Sequence, residues 1–166
     1  MVTIGNKPGE ANNEINFRFS GVFDLDALYK NIQDWFSDHK FLFQEKLHKF
    51  KPPELELEFV GDRKEDGYRL VHVEVSFHFW YYKELVIKKE GKEKKMVSSS
   101  FLINMRINQV YDYDNLFSTP FKRKLQKFLH RFVWFYKINV LWNDQAYYEL
   151  EDLYKLIKNS VNTTTK

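Results

Sequence analysis

Residues 68–108 read YRLVHVEVSFHFWYYKELVIKKEGKEKKMVSSSFLINMRIN, a stretch that fixes its own strand register. Odd positions carry Val71, Val73, Val75, Phe77, Phe79 and Tyr81, while even positions carry His72, Glu74, Ser76 and His78. This strict period of two describes a strand with one buried and one wet face. A three-residue turn at Lys89-Glu90-Gly91, with Gly91 in the left-handed region, returns the chain as an antiparallel partner. Phe79 then faces Phe101, Phe77 faces Ile103, Val75 faces Met105 and Val73 faces Ile107, and on the other face Glu74 meets Arg106. A slip of one residue would set Asn104 and Arg106 beside Phe77 and Val75, which the hydrophobic pattern forbids. The run 68–88 is too long for one flat strand, so a bend or bulge is expected near Lys83-Glu84.

Upstream, Phe41, Phe43 and Leu47 begin a strand that Lys51-Pro52-Pro53 stops, because proline lacks an amide donor and restricts the residue before it. Leu55, Leu57 and Phe59 alternate with Glu54, Glu56 and Glu58 in the next strand, followed by a charged loop from Gly61 to Gly67. Setting residue 50 opposite 54 and residue 59 opposite 69 keeps every core-facing residue odd-numbered, giving a four-stranded meander with one apolar face. Ile15, Phe17 and Phe19 mark a short first strand ending near Ser20-Gly21.

Three helices are predicted. Asp24 is the expected N-cap of the first, with Leu25, Leu28, Tyr29, Ile32, Trp35 and Phe36 on one face. Thr119-Pro120 opens the second, whose stripe is Leu125, Phe128, Leu129, Phe132 and Phe135 or Tyr136. The third starts near Asn143 or Asp144 and aligns Ala146, Tyr147, Leu150, Leu153, Tyr154 and Ile157. The fold class is α+β: a single antiparallel sheet of about five strands in the order β-α-β-β-β-β-α-α, with the helices packed on one face. In topology this resembles the helix-grip architecture, in which a curled sheet holds a C-terminal helix. Residues 14–160 form one domain, with flexible segments expected over 1–13 and 161–166.

Composition narrows the chemistry. A chain of 166 residues buries roughly 68–70% of its unfolded surface, so no staple is needed to complete a core. With no cysteine, disulfide scaffolds, thiolate metal sites and thiol catalysis are excluded. Aromatic residues make up 18% of the chain, enough to build the core from large rings. The formal charge of +3 is too small to imply nucleic acid. Without a signal-like or membrane-spanning apolar run, the protein reads as cytoplasmic with no transmembrane segment.

Catalytic, metal and cofactor readings find no support. His72, Glu74 and His78 share a strand face, but at about 3.3 Å per residue the two histidines lie too far apart to share an ion. Glu54, Glu56 and Glu58 form a solvated edge, and Ser98-Ser99-Ser100 lacks the glycines of a nucleophile elbow. No glycine-rich phosphate loop is present. The basic second helix is the sharpest candidate. Its Lys122, Arg123, Lys124, Lys127, His130 and Arg131 lie opposite an aromatic stripe, with Trp134 at the boundary. Such a helix can lie on an anionic membrane, track phosphates or dock on an acidic partner. Otherwise its stripe packs on the sheet and its lysines are solvated. Trp80 and Tyr82 on the even sheet face are the second candidate surface. The expected protein is a non-enzymatic interaction or assembly module, with another protein or a second copy as partner. It would use Lys122, Arg123, Lys127, Arg131 and Trp134, or Trp80 and Tyr82. The runner-up is a carrier of an apolar small molecule between sheet and helices; weak nucleic-acid binding is third.

Overall fold

The computed structural model describes residues 5–7, 10–89 and 91–162. Six antiparallel strands form one open sheet: β1 (Gly5–Lys7), β2 (Glu10–Phe23), β3 (Leu42–Lys51), β4 (Glu54–Lys64), β5 (Arg69–Lys89) and β6 (Lys92–Tyr111). Their spatial order is β1-β2-β6-β5-β4-β3, so the first long strand closes beside the last. The pairing of β2 with β6 sets Ile15 by Met105, Phe17 by Ile103 and Phe19 by Phe101, which extends the apolar face across the seam. Helices α1 (Leu25–Asp38), α2 (Pro120–Phe128) and α3 (Asn143–Asn162) complete the α+β fold, with two π-helical stretches, Leu129–Val133 and Lys137–Trp142, between α2 and α3.

The central register is the one the alternation demands. Phe79 pairs with Phe101, Phe77 with Ile103, Val75 with Met105 and Val73 with Ile107, and all eight side chains are buried. Two local details differ and offset each other. The hairpin loop holds two residues rather than three, since Lys89 pairs with Lys92; Gly91 takes the left-handed conformation with φ 77°. One residue of register is then restored by a bulge at Tyr81-Tyr82, nearer the core than Lys83-Glu84. Tyr81 sits at φ 56°, and the Ser99 hydroxyl donates to the Trp80 carbonyl at 2.8 Å, holding the kink.

The outer connections depart further from the expected pairing. Pro52-Pro53 forms a two-residue turn with a cis bond, so Phe50 opposes Leu55 and His48 opposes Leu57. Odd parity returns only past a bulge between Glu45 and Leu47, beyond which Glu45 opposes Phe59 and Phe43 opposes Gly61. Between β4 and β5 the loop is only Glu65–Tyr68, and Phe59 pairs with Val75 instead of residue 69. The Asp66 side chain shortens this turn by accepting from the amides of Tyr68 at 2.8 Å and Arg69 at 2.7 Å. Glu74 does stand opposite Arg106, yet the guanidinium turns the other way, to Glu14 on β2 at 3.4 Å.

The first strand is longer than its apolar core suggested: residues 10–13 belong to β2 and 5–7 pair with it. The rest of the expected flexible start, 1–4 and 8–9, and of the expected tail, 163–166, lies outside the described residues; 161–162 end α3.

The apolar face is covered by two helices. The Asp24 carboxylate caps α1 by accepting from the Ala27 amide at 2.9 Å, and Leu28, Ile32, Trp35 and Phe36 are buried against the sheet. Helix α3 lies beside α1 and over β2 and β6, burying Ala146, Leu150, Leu153, Ile157 and Val161. The indole Nε1 of Trp35 donates to Asp152 at 3.0 Å, Asn31 donates to the Ser160 hydroxyl at 2.9 Å, and Arg63 from β4 pairs with Glu149 at 2.9 Å. The gap beneath α1, lined by Leu28, Ile32, Phe59 and Phe77 among others, has no room for a water molecule. The core is filled.

Candidate interaction surface

The expectation that all three helices pack on the sheet fails at α2. Thr119 caps it, accepting from the Lys122 amide at 3.3 Å, and Pro120 occupies its first turn. No residue of α2 is buried, and its main packing neighbours are the helical turns that follow it. Helices α1 and α3 already cover the central apolar face of the sheet.

The segment docks by its less apolar side. Gln126, His130 and Trp134 are half-buried, Ile138 is buried and Trp142 is half-buried, a row at every fourth residue. In a regular α-helix a four-residue step overshoots one turn by about 40°. The wider π turns take that drift back, so all five residues stay on one side. Their anchor is the loop end of β5 and β6. The Tyr68 hydroxyl accepts from Gln126 Nε2 at 3.0 Å and shares a hydrogen bond with His130 Nε2, while the Trp134 ring lies 5.2 Å from that of Tyr68. At the far end, buried Gln109 donates to the Trp142 carbonyl at 2.8 Å and accepts from Arg69 Nε at 2.9 Å. The guanidinium of Arg69 lies 4.8 Å from the Trp142 ring centre.

The predicted apolar stripe, apart from half-buried Leu129, therefore points outward. Phe121 is 76% exposed and Phe132 66%; Leu125, Phe128, Phe135 and Tyr136 are exposed as well. The Phe128 and Phe132 rings pack on one another at 5.0 Å, and Arg131 leans over Phe132 at 5.6 Å. An exposed apolar ridge of this extent is unusual on a lone domain.

Charge reinforces the ridge. Residues 115–143 hold six basic side chains, Lys122, Arg123, Lys124, Lys127, Arg131 and Lys137, and no Asp or Glu. The whole chain is +3, so the remainder is net −3 while this segment is +6. Among the described residues none of these six cations enters an ion pair. Elsewhere Lys46 pairs with Glu58 at 2.5 Å, Lys49 with Glu56 at 3.1 Å and Lys94 with Asp24 at 2.8 Å. Lys124 and Lys137 thus join the candidate residues, together with the outward Phe121, Phe128 and Phe132. The acid-free run is the signal in the sequence that points to Lys137.

The docking contact contains a titratable group. Burial holds His130 below its ordinary value of 6.5, outweighing the nearby Asp112 carboxylate, which pulls the other way. Around the ring stand Tyr68 just before β5, Tyr111 from β6, Asp112 beyond β6, and Gln126 and Trp134 of its own segment. Burial also raises Tyr68, despite the Gln126 hydrogen bond, and pushes Tyr111 up to about 12 despite Arg69, so both phenols stay neutral near neutrality. A lowered histidine favours the folded state fully above pH 6.5, and that contribution is lost as pH falls through the folded value. Amide exchange over 120–142 should accelerate between about pH 7.5 and pH 5 relative to α3, after correction for intrinsic rates. Equal protection at both pH values would refute the dependence.

The second candidate surface is divided. Trp80 stays on the even face, its ring tilted against His78 at 4.4 Å and approached by Arg18 at 6.0 Å, beside an open groove of about 420 Å³. Tyr82 does not stand next to it: the bulge turns its ring to the α1 side, against Phe50 at 5.4 Å. The even face is otherwise a polar network, in which Asn104 donates to Asn16 at 2.7 Å and to Glu14. Burial would raise Glu14, but the hydrogen bonds of Asn16 and Asn104 and the charge of Arg106 hold it below its usual range.

His72 bonds Asp62 at 2.5 Å and His78 approaches Glu54 at 3.5 Å; no group of three or more potential metal ligands gathers among the described residues. No described helix is long and apolar enough to cross a membrane. In comparisons with known proteins, no family model matches the chain and no curated protein is detectably similar to it.

Proposed function

We propose that this is a non-catalytic interaction module whose contact surface is the helical segment 120–142. The observation that carries this reading is the outward ridge of Phe121, Phe128 and Phe132 on a segment whose other side is already docked. The filled space beneath α1 favours this reading over the carrier of an apolar ligand. The open groove at Trp80 is a lesser candidate, because its one charged lining residue, Arg18, leans over the Trp80 ring itself and no cluster of cations gathers there.

Site-specific photo-crosslinking in the native source tests the assignment. Benzoylphenylalanine at Phe128 should give a macromolecular adduct, protein or lipid, and the same group at Ser76 on the even face should give none. Adducts only from Ser76 would move the contact surface to the sheet. Silence at both positions would overturn the interaction reading.

A further inference from the structure

We infer that the partner of the 120–142 segment is an anionic lipid bilayer surface, on which the segment lies flat with its phenylalanine ridge among the acyl chains and its lysines and arginines on the headgroup phosphates. This rests on the reading that 120–142 is the contact surface and adds its occupant.

Three features select that occupant. The first is the pairing of exposed aromatic side chains with cations on one segment. Viewed down the helix, Phe121, Phe128 and Phe132 fall in the middle of an arc bordered by Lys122 on one side and Lys124 and Arg131 on the other. A ridge inserted to acyl depth thus keeps its cations at headgroup level, the arrangement of helices that lie in the membrane interface. The second is charge. Six cations outside any ion pair among the described residues, and no acid over 115–143, match a surface of net negative charge, which attracts each nearby Lys or Arg. The same charge argues against a second copy, since a symmetric contact through this segment would face six cations with six cations. The third is shape. Phe121, Phe128 and Phe132 project from a segment in which no residue of α2 is buried. A fluid interface accepts a projecting apolar ridge without a complementary pocket, and the docked row Gln126-His130-Trp134 holds that ridge outward in advance.

Co-sedimentation of the full chain with vesicles tests this, comparing pure phosphatidylcholine with vesicles containing about 30% phosphatidylserine. The chain should partition at least ten-fold more strongly onto the anionic vesicles, and raised salt should weaken that binding. F128S/F132S should reduce binding roughly ten-fold or more with an unchanged melting midpoint, because both rings are already exposed. K122Q/K124Q/K127Q should remove most of the preference for anionic lipid while leaving the fold intact.

Equal partition on both vesicle types, or parental binding by F128S/F132S, overturns the inference. So does a dimer by light scattering that F128S/F132S dissolves while vesicles stay unbound. So does oligonucleotide binding that the lysine variant loses, the phenylalanine variant keeps and vesicles do not share. In the dimer case, or if Phe128 crosslinks only to protein, the lipid assignment falls and segment 120–142 remains the contact surface.

Discussion

Phe101→Ala should destabilise the protein by about 3–5 kcal/mol, the usual range for truncating a fully buried phenylalanine. Phe101 has no exposed surface and lies where the two central pairings meet, opposite Phe79 on β5 and Phe19 on β2. Five phenylalanine rings surround it: Phe79 at 5.2 Å, Phe23 at 5.3 Å, Phe19 at 5.4 Å, Phe77 at 5.7 Å and Phe17 at 6.4 Å. Most of these contacts are tilted or edge-to-face, which adds to the apolar area withdrawn from water. Because rings in two strands and the β2–α1 junction converge here, the hole cannot close by one side chain turning. In a chain of this size each 1 kcal/mol lowers the melting midpoint by roughly 2–4 °C, so a fall of roughly 6–20 °C is expected. Phe132→Ala is the control: the same atoms leave, but from a side chain already 66% exposed, and the change should stay within about 0.5 kcal/mol. Comparable losses for the two variants in denaturant melts would contradict the placement of both rings.

Gly61→Val should be nearly as damaging, at roughly 3 kcal/mol, the upper end of the overpacking range. Gly61 is buried in β4, flanked by Phe43 and Val73 in register. A Cβ added there would stand 2.5 Å from Phe36 Cδ1, 2.6 Å from Phe36 Cε1 and 3.0 Å from Phe41 Cβ. Phe36 is wholly buried in α1, so its ring has nowhere to retreat. Strand preference alone favours valine over glycine by up to about 1 kcal/mol, so the two effects have opposite signs and the experiment separates them. A lowered midpoint for Gly61→Val, partly recovered by adding Phe36→Leu, is the expected result. An unchanged or raised midpoint would mean that α1 does not lie against β4 at this point.

Gly61 also shows where sequence reading stops. In one dimension a glycine beside charged residues looks like the start of a loop; in the fold it is the position where a helix ring rests on the strand backbone. The four central pairs from Val73–Ile107 to Phe79–Phe101 were legible because two facing alternations admit one register without burying charge. The turn beside them was misread by one residue, and the bulge at Tyr81-Tyr82 cancelled the error before it reached the core. That bulge also carried Tyr82 away from Trp80. The β4–β5 pairing escaped because the Asp66 side chain tightens a turn whose length apolar parity cannot measure.

For the candidate surface, Lys122, Arg123, Lys127, Arg131 and Trp134 could be picked out as a basic, aromatic helix, and Thr119-Pro120 marked its start. Which side of that helix meets the protein could not be read, and the apolar stripe suggested the opposite of what is found. Periodicity and capping act between near neighbours along the chain. They alone therefore establish the strand alternation, the central register, the Asp24 and Thr119 caps and the apolar faces of α1 and α3. Which helix covers the sheet is a competition among distant segments for one finite apolar face. Packing gives that face to α1 and α3, and the segment between β6 and α3 is left holding Tyr68 by its polar row, with its phenylalanines turned to the outside.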